Sequence, residues 1–307
     1  MSERALTDSP GRLRGDLAAS FLASRVTVAA AAVAVILVAA AVLAPLIAPT
    51  DPFNPAANFL IDSLTPPRFA GGDPRFLLGA DDQGRDLLSA ILYGLRASLA
   101  IGAASVLLGA ALGVGLGLVA GYAGGWLDAM IMRVADVQLT FPAILIALLL
   151  DGVAKALTAG ANRETTAFGV LVVAIGLSFW VQYARTVRGS TMAEKGRDYV
   201  LAARLIGLSA PRILLRHILP NVMGPVLVIT TINLAIAIIT EATLSFLGVG
   251  LPPTEPSLGT LIRIGQNYLF SGEWWIVTFP SLALALLVLS VNLLGDWLRD
   301  ALNPKLK

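Results

Sequence analysis

The sequence predicts an all-α integral membrane protein with six transmembrane helices. Three observations carry that prediction. The chain is 56% hydrophobic and only 14% charged over 307 residues, with a mean hydropathy of +0.78. A soluble domain of this length needs far more polar surface to cover its core. Six apolar runs approach the ~20 residues that a helix needs to cross the hydrocarbon. Lys and Arg concentrate in two of the segments between or before those runs. Cysteine is absent, which excludes disulfides, thiolate metal sites and cysteine nucleophiles. A formal charge of +2 is too small to point to nucleic acid.

Taken in order, residues 1–25 form a basic tail with Arg4, Arg12, Arg14 and Arg25. The first span, Val26–Ala48, is longer than the ~7–15 residues of a signal-peptide core, so an uncleaved anchor is expected. Residues 49–96 form an outward loop: irregular and proline-rich over Pro49–Pro74, then a turn with Asp81, Asp82 and Asp86 that leads into an interfacial helix, Leu87–Tyr93. The acidic turn lacks the D-x-[DN]-x-[DN]-G spacing of a calcium loop. Spans two to six follow at Ala97–Leu118, Ala135–Leu150, Thr166–Tyr183, Val222–Thr243 and Trp275–Leu294, in a core of residues 97–296, with 297–307 as a C-terminal tail. Asp136 and Gln138 sit in the first turns of span three, and Pro142 is expected to kink it. Gly109, Gly113, Gly117 and Gly121 recur at every fourth position, a face that lets another helix approach closely, in this chain or in a second one.

Orientation follows from the basic residues. The connection between spans four and five (residues 185–221) holds Arg185, Arg188, Lys195, Arg197, Arg204, Arg212 and Arg216 against Glu194 and Asp198. With six spans this loop and the N-terminal tail share one side, which places both termini in the cytoplasm. Seven such cations would cost on the order of 20 kcal/mol inside the bilayer, so the loop stays out of it. Trp274 and Trp275 at one end of the last span and Trp297 at the other suit the headgroup level.

The loop is punctuated as two short helices. Asp198 is expected to cap the first, which passes through Tyr199, Val200, Ala203 and Ile206 and closes at Gly207. Ser209 is expected to cap the second, which runs through Arg216 and ends at Pro220. Leu214/Ile218 and Leu215/Leu219 give it an apolar side, with Arg212 and Arg216 along the edge. These residues alone fit anionic headgroups or a partner protein equally well.

Spacing adds a resemblance. Ala202-Ala203, then Gly207, then Leu219-Pro220 resembles the loop E-A-A, three residues, G, nine residues, I-x-L-P of ABC-importer permeases, with Leu201 in the Glu place and His217 in the Ile place. FLLGADDQGRDLLSAILYG (Phe76–Gly94), GYAGGWLDAMIMRVADVQLTFP (Gly121–Pro142), EATLSFLGVG (Glu241–Gly250) and NLLGDWLRDALNP (Asn292–Pro304) are similar, in the same order, to segments of the dipeptide/oligopeptide permease family, C-type subunit. The resemblance implies a type I ABC-importer permease fold whose short helices between spans four and five dock on an ATPase. Ala202, Ala203, Arg204, Gly207, Leu208, Arg212, Arg216, His217 and Pro220 would form that coupling surface. It implies a second homologous permease, two ATPase subunits, an extracytoplasmic substrate-binding protein, surrounding lipid and a peptide substrate. The chain has no G-x-x-x-x-G-K-[ST], so ATP and Mg belong to the ATPases and no cofactor is expected here. The same machinery would suit nickel chelates, glutathione or another small solute. A secondary transporter driven by an ion gradient is the competing class, but inverted repeats and mid-membrane ionisable pairs are not evident.

Three polar span residues remain candidates for the pathway or the bundle: Glu241, Asn233 and Asp136. For Glu241, contact with substrate and a structural hydrogen bond stand equal. Asp136 lies three residues after Arg133, a spacing that permits a pair on one helix face. His217 is the sole histidine; without cysteines or a neighbouring Ser/Asp pair it suits a partner contact or helix-end carbonyls rather than metal or catalysis.

Overall fold

The computed structural model describes residues 19–54, 59–158, 163–255 and 257–302; Arg4, Arg12 and Arg14 of the basic tail and Pro304 of the last motif lie outside them. Among the described residues regular structure is helical, and extended pairing is limited to one bridge between Ala80 and Asp86. The helices are α1 (Arg25–Val42), α2 (Ala44–Ile47), α3 (Leu87–Ala123), α4 (Gly125–Leu139), α5 (Ala143–Thr158), α6 (Arg163–Glu194), α7 (Asp198–Leu205), α8 (Ala210–Ile213), α9 (Leu219–Phe246), α10 (Leu258–Tyr268) and α11 (Trp275–Ala301). Five of them, α1, α3, α6, α9 and α11, are long and apolar enough to cross a membrane, and the α4–α5 pair makes a sixth span if its two halves count as one.

Four features differ from the sequence-based expectation. The interfacial helix and span two are one helix of 37 residues. Asp86 caps it by accepting from the Ser89 amide, and no proline interrupts it. At 1.5 Å per residue it is about 55 Å long, well beyond a hydrocarbon core of about 30 Å. Span three is not a kinked rod but two helices set at 89°. Pro142 lacks an N–H and disfavours the helical conformation at Phe141, so the chain turns over Thr140–Pro142. Pro220 does not end the second loop helix. It sits in the first turn of α9, where its missing N–H costs nothing, and α8 runs into α9 through a π turn at Leu214–Ile218. Finally, α10 lies between spans five and six; Ser257 caps it, and Leu258, Leu261 and Ile264 form its buried side.

The tightest packing joins α3 to α6. A Cβ added at Gly109, Gly113, Gly117 or Gly121 would stand 2.9, 2.3, 2.6 or 2.7 Å from the carbonyl oxygens of Gly176, Trp180, Ala184 and Arg188. The two four-residue rows interlock, and the partner helix belongs to this chain.

One end of the bundle carries the 195–220 loop; the far end is closed by buried polar contacts. There Arg85 Nε bonds Asp81 Oδ2 at 2.6 Å with both side chains at 2% exposure or less. Arg85 Nη1 also donates to the Pro253 carbonyl at 2.7 Å, and Trp275 Nε1 donates to the Ala80 carbonyl at 3.2 Å. These contacts join the start of α3 to the segments before α10 and at the head of α11. Removing one partner strands the other charge in the interior. Arg85→Ala is therefore expected to destabilise the chain by about 3–5 kcal/mol, read as a fall in the unfolding midpoint in detergent. The double variant with Asp81→Asn should recover part of the loss.

Candidate functional site

The loop between α6 and α9 is folded down onto the bundle rather than trailing in solvent. Val200 and Ala203 of α7, with Ile213 and Ile218, are buried in one apolar cluster with Leu118 of α3 and Tyr183 and Val187 of α6. Polar ties hold the rim. Lys195 Nζ donates to the Gly121 carbonyl at the end of α3 at 2.9 Å, and the Arg204 guanidinium lies 4.8 Å from the centre of the Tyr122 ring. Tyr199 donates to Glu194 at 2.6 Å. The Asn221 amide donates to the His217 carbonyl at 2.7 Å and to the Tyr199 oxygen at 3.1 Å. Desolvation and the adjacent Glu194 carboxylate push the Tyr199 phenol above its ordinary value.

Gly207 turns the chain between α7 and α8 at φ +81, a left-handed conformation that glycine adopts without a steric cost. The Leu208 amide then donates to the Ala203 carbonyl at 3.1 Å, closing α7. Asp198 is not the cap of α7: Arg197 holds that position and Asp198 opens the first turn, where its charge favours the helix N-terminus. Ser209 does precede α8 as its cap residue, without a side-chain hydrogen bond.

Of the nine residues assigned to the loop surface, Ala202, Arg204, Gly207, Arg212, Arg216 and Pro220 are exposed, and Leu208 and His217 are half-buried. Ala203 points inward at 4% exposure. The His217 Nδ1 atom is buried with no hydrogen-bond partner. Ile206 and Leu215 were placed on the loop helices from sequence, but Leu205 and the exposure all three share were not anticipated. Leu205 is 88% exposed and Ile206 76%, with Leu215 close behind at 63%. Consecutive apolar residues Leu205-Ile206, four positions after Leu201, were the available signal: one α7 face cannot bury them all.

The remaining candidates separate from the loop. Asp136 bonds Arg185 of α6 at 2.6 Å instead of Arg133, because α4 lies along α6 and brings an opposite charge directly across. Asp128 makes a bidentate pair with Arg188, at 2.5 and 2.7 Å, one helix turn further along α6. Gln138 accepts from the Trp180 indole at 2.8 Å and donates to the Leu177 carbonyl. Asn233 and Glu241 are fully buried on α9. Asn233 has no hydrogen-bond partner at either amide atom, whereas Glu241 accepts from Ser98 and Ser245, each at 2.7 Å. Among the described residues no three His, Asp or Glu side chains are grouped to hold a metal ion.

Helices of this length, interlocked through glycine and linked by a loop that shows apolar side chains at its surface, define an integral membrane subunit. The chain belongs to the family of binding-protein-dependent transport system inner membrane components, whose family model matches residues 113–307. It is 41% identical over 266 residues to the dipeptide transport system permease protein DppC of Haemophilus influenzae, covering 87% of this chain and 86% of that protein. It is 40% identical over 273 residues to the di/tripeptide transport system permease protein DppC of Pseudomonas aeruginosa, covering 89% and 86%. A glutathione transport system permease protein, GsiD of Pectobacterium atrosepticum, is 41% identical over 287 residues, covering 94% and 89%. The fold is shared with a chain of the MetNI methionine ABC transporter in an inward-facing conformation, at a TM-score of 0.54 and 18% identity over 70% of this chain and 96% of that one. This chain is thus an inner membrane component of a binding-protein-dependent transport system.

Proposed function

We propose that this permease is one of two homologous membrane subunits of an ATP-driven importer of short peptides, coupled through its 199–220 loop to two separate ATPases. The observation that carries the reading is the anchored loop itself: a buried inner side, and an exposed outer side of Leu205, Ile206 and Leu215 edged by Arg212 and Arg216. Apolar anchors within a charged rim are what a protein partner's groove selects. A lipid surface is the weaker reading, because α7 and α8 are turned against one another at Gly207 and do not present one flat face. The excess of Lys and Arg in the loop supports a cytoplasmic location for it and for both termini.

The peptide class rests on the names of two relatives at about 40% identity, dipeptide and di/tripeptide permeases. The glutathione permease widens the class to other small peptides rather than away from it, since glutathione is itself a tripeptide. An extracytoplasmic binding protein would deliver the substrate, and alternating access would be set by ATP binding in the partners. Asp136 and Asp128 act in this scheme as struts between α4 and α6.

The test is purification of the assembled complex from native membranes, with the ligand of its binding protein identified by mass spectrometry. Short peptides and a nucleotide-hydrolysing subunit are the expected finds. A nickel chelate or a sugar would overturn the substrate class, and transport without any ATPase would overturn the machine. The chain has no cysteine, so Arg212→Cys reports sidedness directly: labelling by an impermeant reagent from outside intact cells would reverse the orientation.

A further inference from the structure

Glu241 is fully buried in α9, and no ion pair reaches it among the described residues. Its two oxygens are taken by hydroxyls. Ser245, one turn on, donates to Oε1 at 2.7 Å, and Ser98 of α3 donates to Oε2 at 2.7 Å. Ser98 Oγ also accepts from the Leu258 amide, the first residue of α10, at 3.3 Å. One carboxyl thus gathers α3, α9 and α10. Glycines bring the backbones together around it: a Cβ at Gly259 would stand 2.4 Å from the Ala242 carbonyl, and one at Gly265 would stand 2.5 Å from the Val277 amide of α11.

The loop end is different. There a Cβ on Gly295 of α11 would lie 3.3 Å from Thr231 Oγ1 of α9. Nearer the loop a cavity of about 490 Å³ is lined from both sides, by Gly224, Pro225, Val228 and Ile229 of α9 and by Arg299 and Leu302 at the end of α11. The loop helix α8 is joined to this free end of α9 without a break, through the π turn. At the far end α10 bridges α9 to α11 through close backbone contacts, and at the loop end the two helices enclose open space.

Resting on the ATP-driven reading, we propose that Glu241 is a positioning residue, the fulcrum about which α9 swings against α11 when the loop is moved. Chemistry favours a carboxylate at such a point. Interdigitated apolar side chains fix one packing, whereas serine hydroxyls rotate about their Cβ–Oγ bonds and keep a carboxylate bonded over a range of helix angles. From Glu241 to the start of α9 the arm is about 33 Å, so a tilt of about 5° moves the loop end by about 3 Å.

Spin labels on introduced cysteines test this in the assembled complex, with the partner subunits made cysteine-free. A pair at Leu227 and Arg299 reports the loop end; a pair at Leu247 and Gln266 reports the far end. Leu227 lies about 21 Å from Glu241 along α9, so addition of ATP should shift the first distance by about 2 Å or more and leave the second within about 1 Å. Glu241→Ala should let the far-end distance shift as well and lower substrate moved per ATP hydrolysed by about tenfold or more. Glu241→Gln should restore both, because an amide still accepts from one serine and donates to the other. If Glu241→Ala does not assemble, Ser98→Ala with Ser245→Ala removes the same bonds and is expected to act alike. Equal shifts at both ends in the unmodified chain would overturn the fulcrum alone, as would a fixed loop-end distance in a complex that hydrolyses ATP and transports, or Gln behaving as Ala. A complex that never hydrolyses ATP would overturn the ATP-driven reading and the fulcrum with it.

Discussion

Gly113→Ala is expected to destabilise the chain by about 3 kcal/mol, and Gly113→Leu to prevent accumulation of folded protein. The added Cβ would stand 2.3 Å from the Trp180 carbonyl and 2.5 Å from the Tyr183 Cβ, and neither can yield without moving α6. No flexible side chain takes up the strain; backbone meets backbone. Gly115 is the internal control, two residues on along the same helix, since a Cβ there meets nothing within 4 Å. Gly115→Ala should be neutral or slightly stabilising, alanine being the better helix former by up to about 1 kcal/mol. Thermal unfolding in detergent distinguishes the two. Equal midpoints for Gly113→Ala and Gly115→Ala would remove the interlocked rows as the basis of α3–α6 association.

Leu205→Asp and Ile206→Asp are expected to abolish uptake while the chain still inserts and folds. Both side chains are exposed in the isolated chain, so the substitution costs the bundle little. In a partner's groove each apolar anchor contributes about 2 kcal/mol, so Leu205→Ala alone should weaken ATPase association by about 30-fold. Gly207 acts differently. Nothing lies within 4 Å of a Cβ placed there, so alanine meets only the left-handed backbone penalty of about 1–2 kcal/mol. A bulky residue such as tryptophan would instead fill the space where the partner sits, separating ATP hydrolysis from uptake. Measurement of both activities on one reconstituted preparation reads the coupling. Normal uptake by Gly207→Trp would sink the assignment of this surface.

Much of this architecture is legible in the sequence because apolar length and basic loops are local properties. The apolar centres of α1, α3, α6, α9 and α11 fall within the expected spans. What escaped were properties of pairs. The interfacial helix was expected to stop at Tyr93, yet Gly94 continues it inside α3 and lets Ser257 and Leu258 pack closely, a Cβ there lying 3.3 Å from the Leu258 amide. The 89° break in span three falls between two apolar segments, where a hydropathy average sees no boundary. At 11 residues α10 is too short for the span length being sought, and its glycines resemble turns. Arg185 as the partner of Asp136, and Ser98 as the partner of Glu241, lie 49 and 143 residues away in sequence. No local pattern names them. The exposure of Leu205 and Ile206 was missed for another reason: helical periodicity marks apolar residues as one side of a helix, and only the folded chain shows which of them water reaches.

The π turn at Leu214–Ile218 makes the winding of the backbone matter more than composition in that short stretch. There the Leu219 amide bonds the Leu214 carbonyl, so the winding holds one residue more than an α-turn would. Rewinding the same residues as a regular α-helix, with none removed, would rotate everything before them by about 100° relative to the fifth span. Arg212 and its neighbours would then point a quarter-turn or more from their present bearing, with every side chain's chemistry unchanged. A partner that recognises direction as well as charge would lose its target through a change of winding that no hydropathy profile registers.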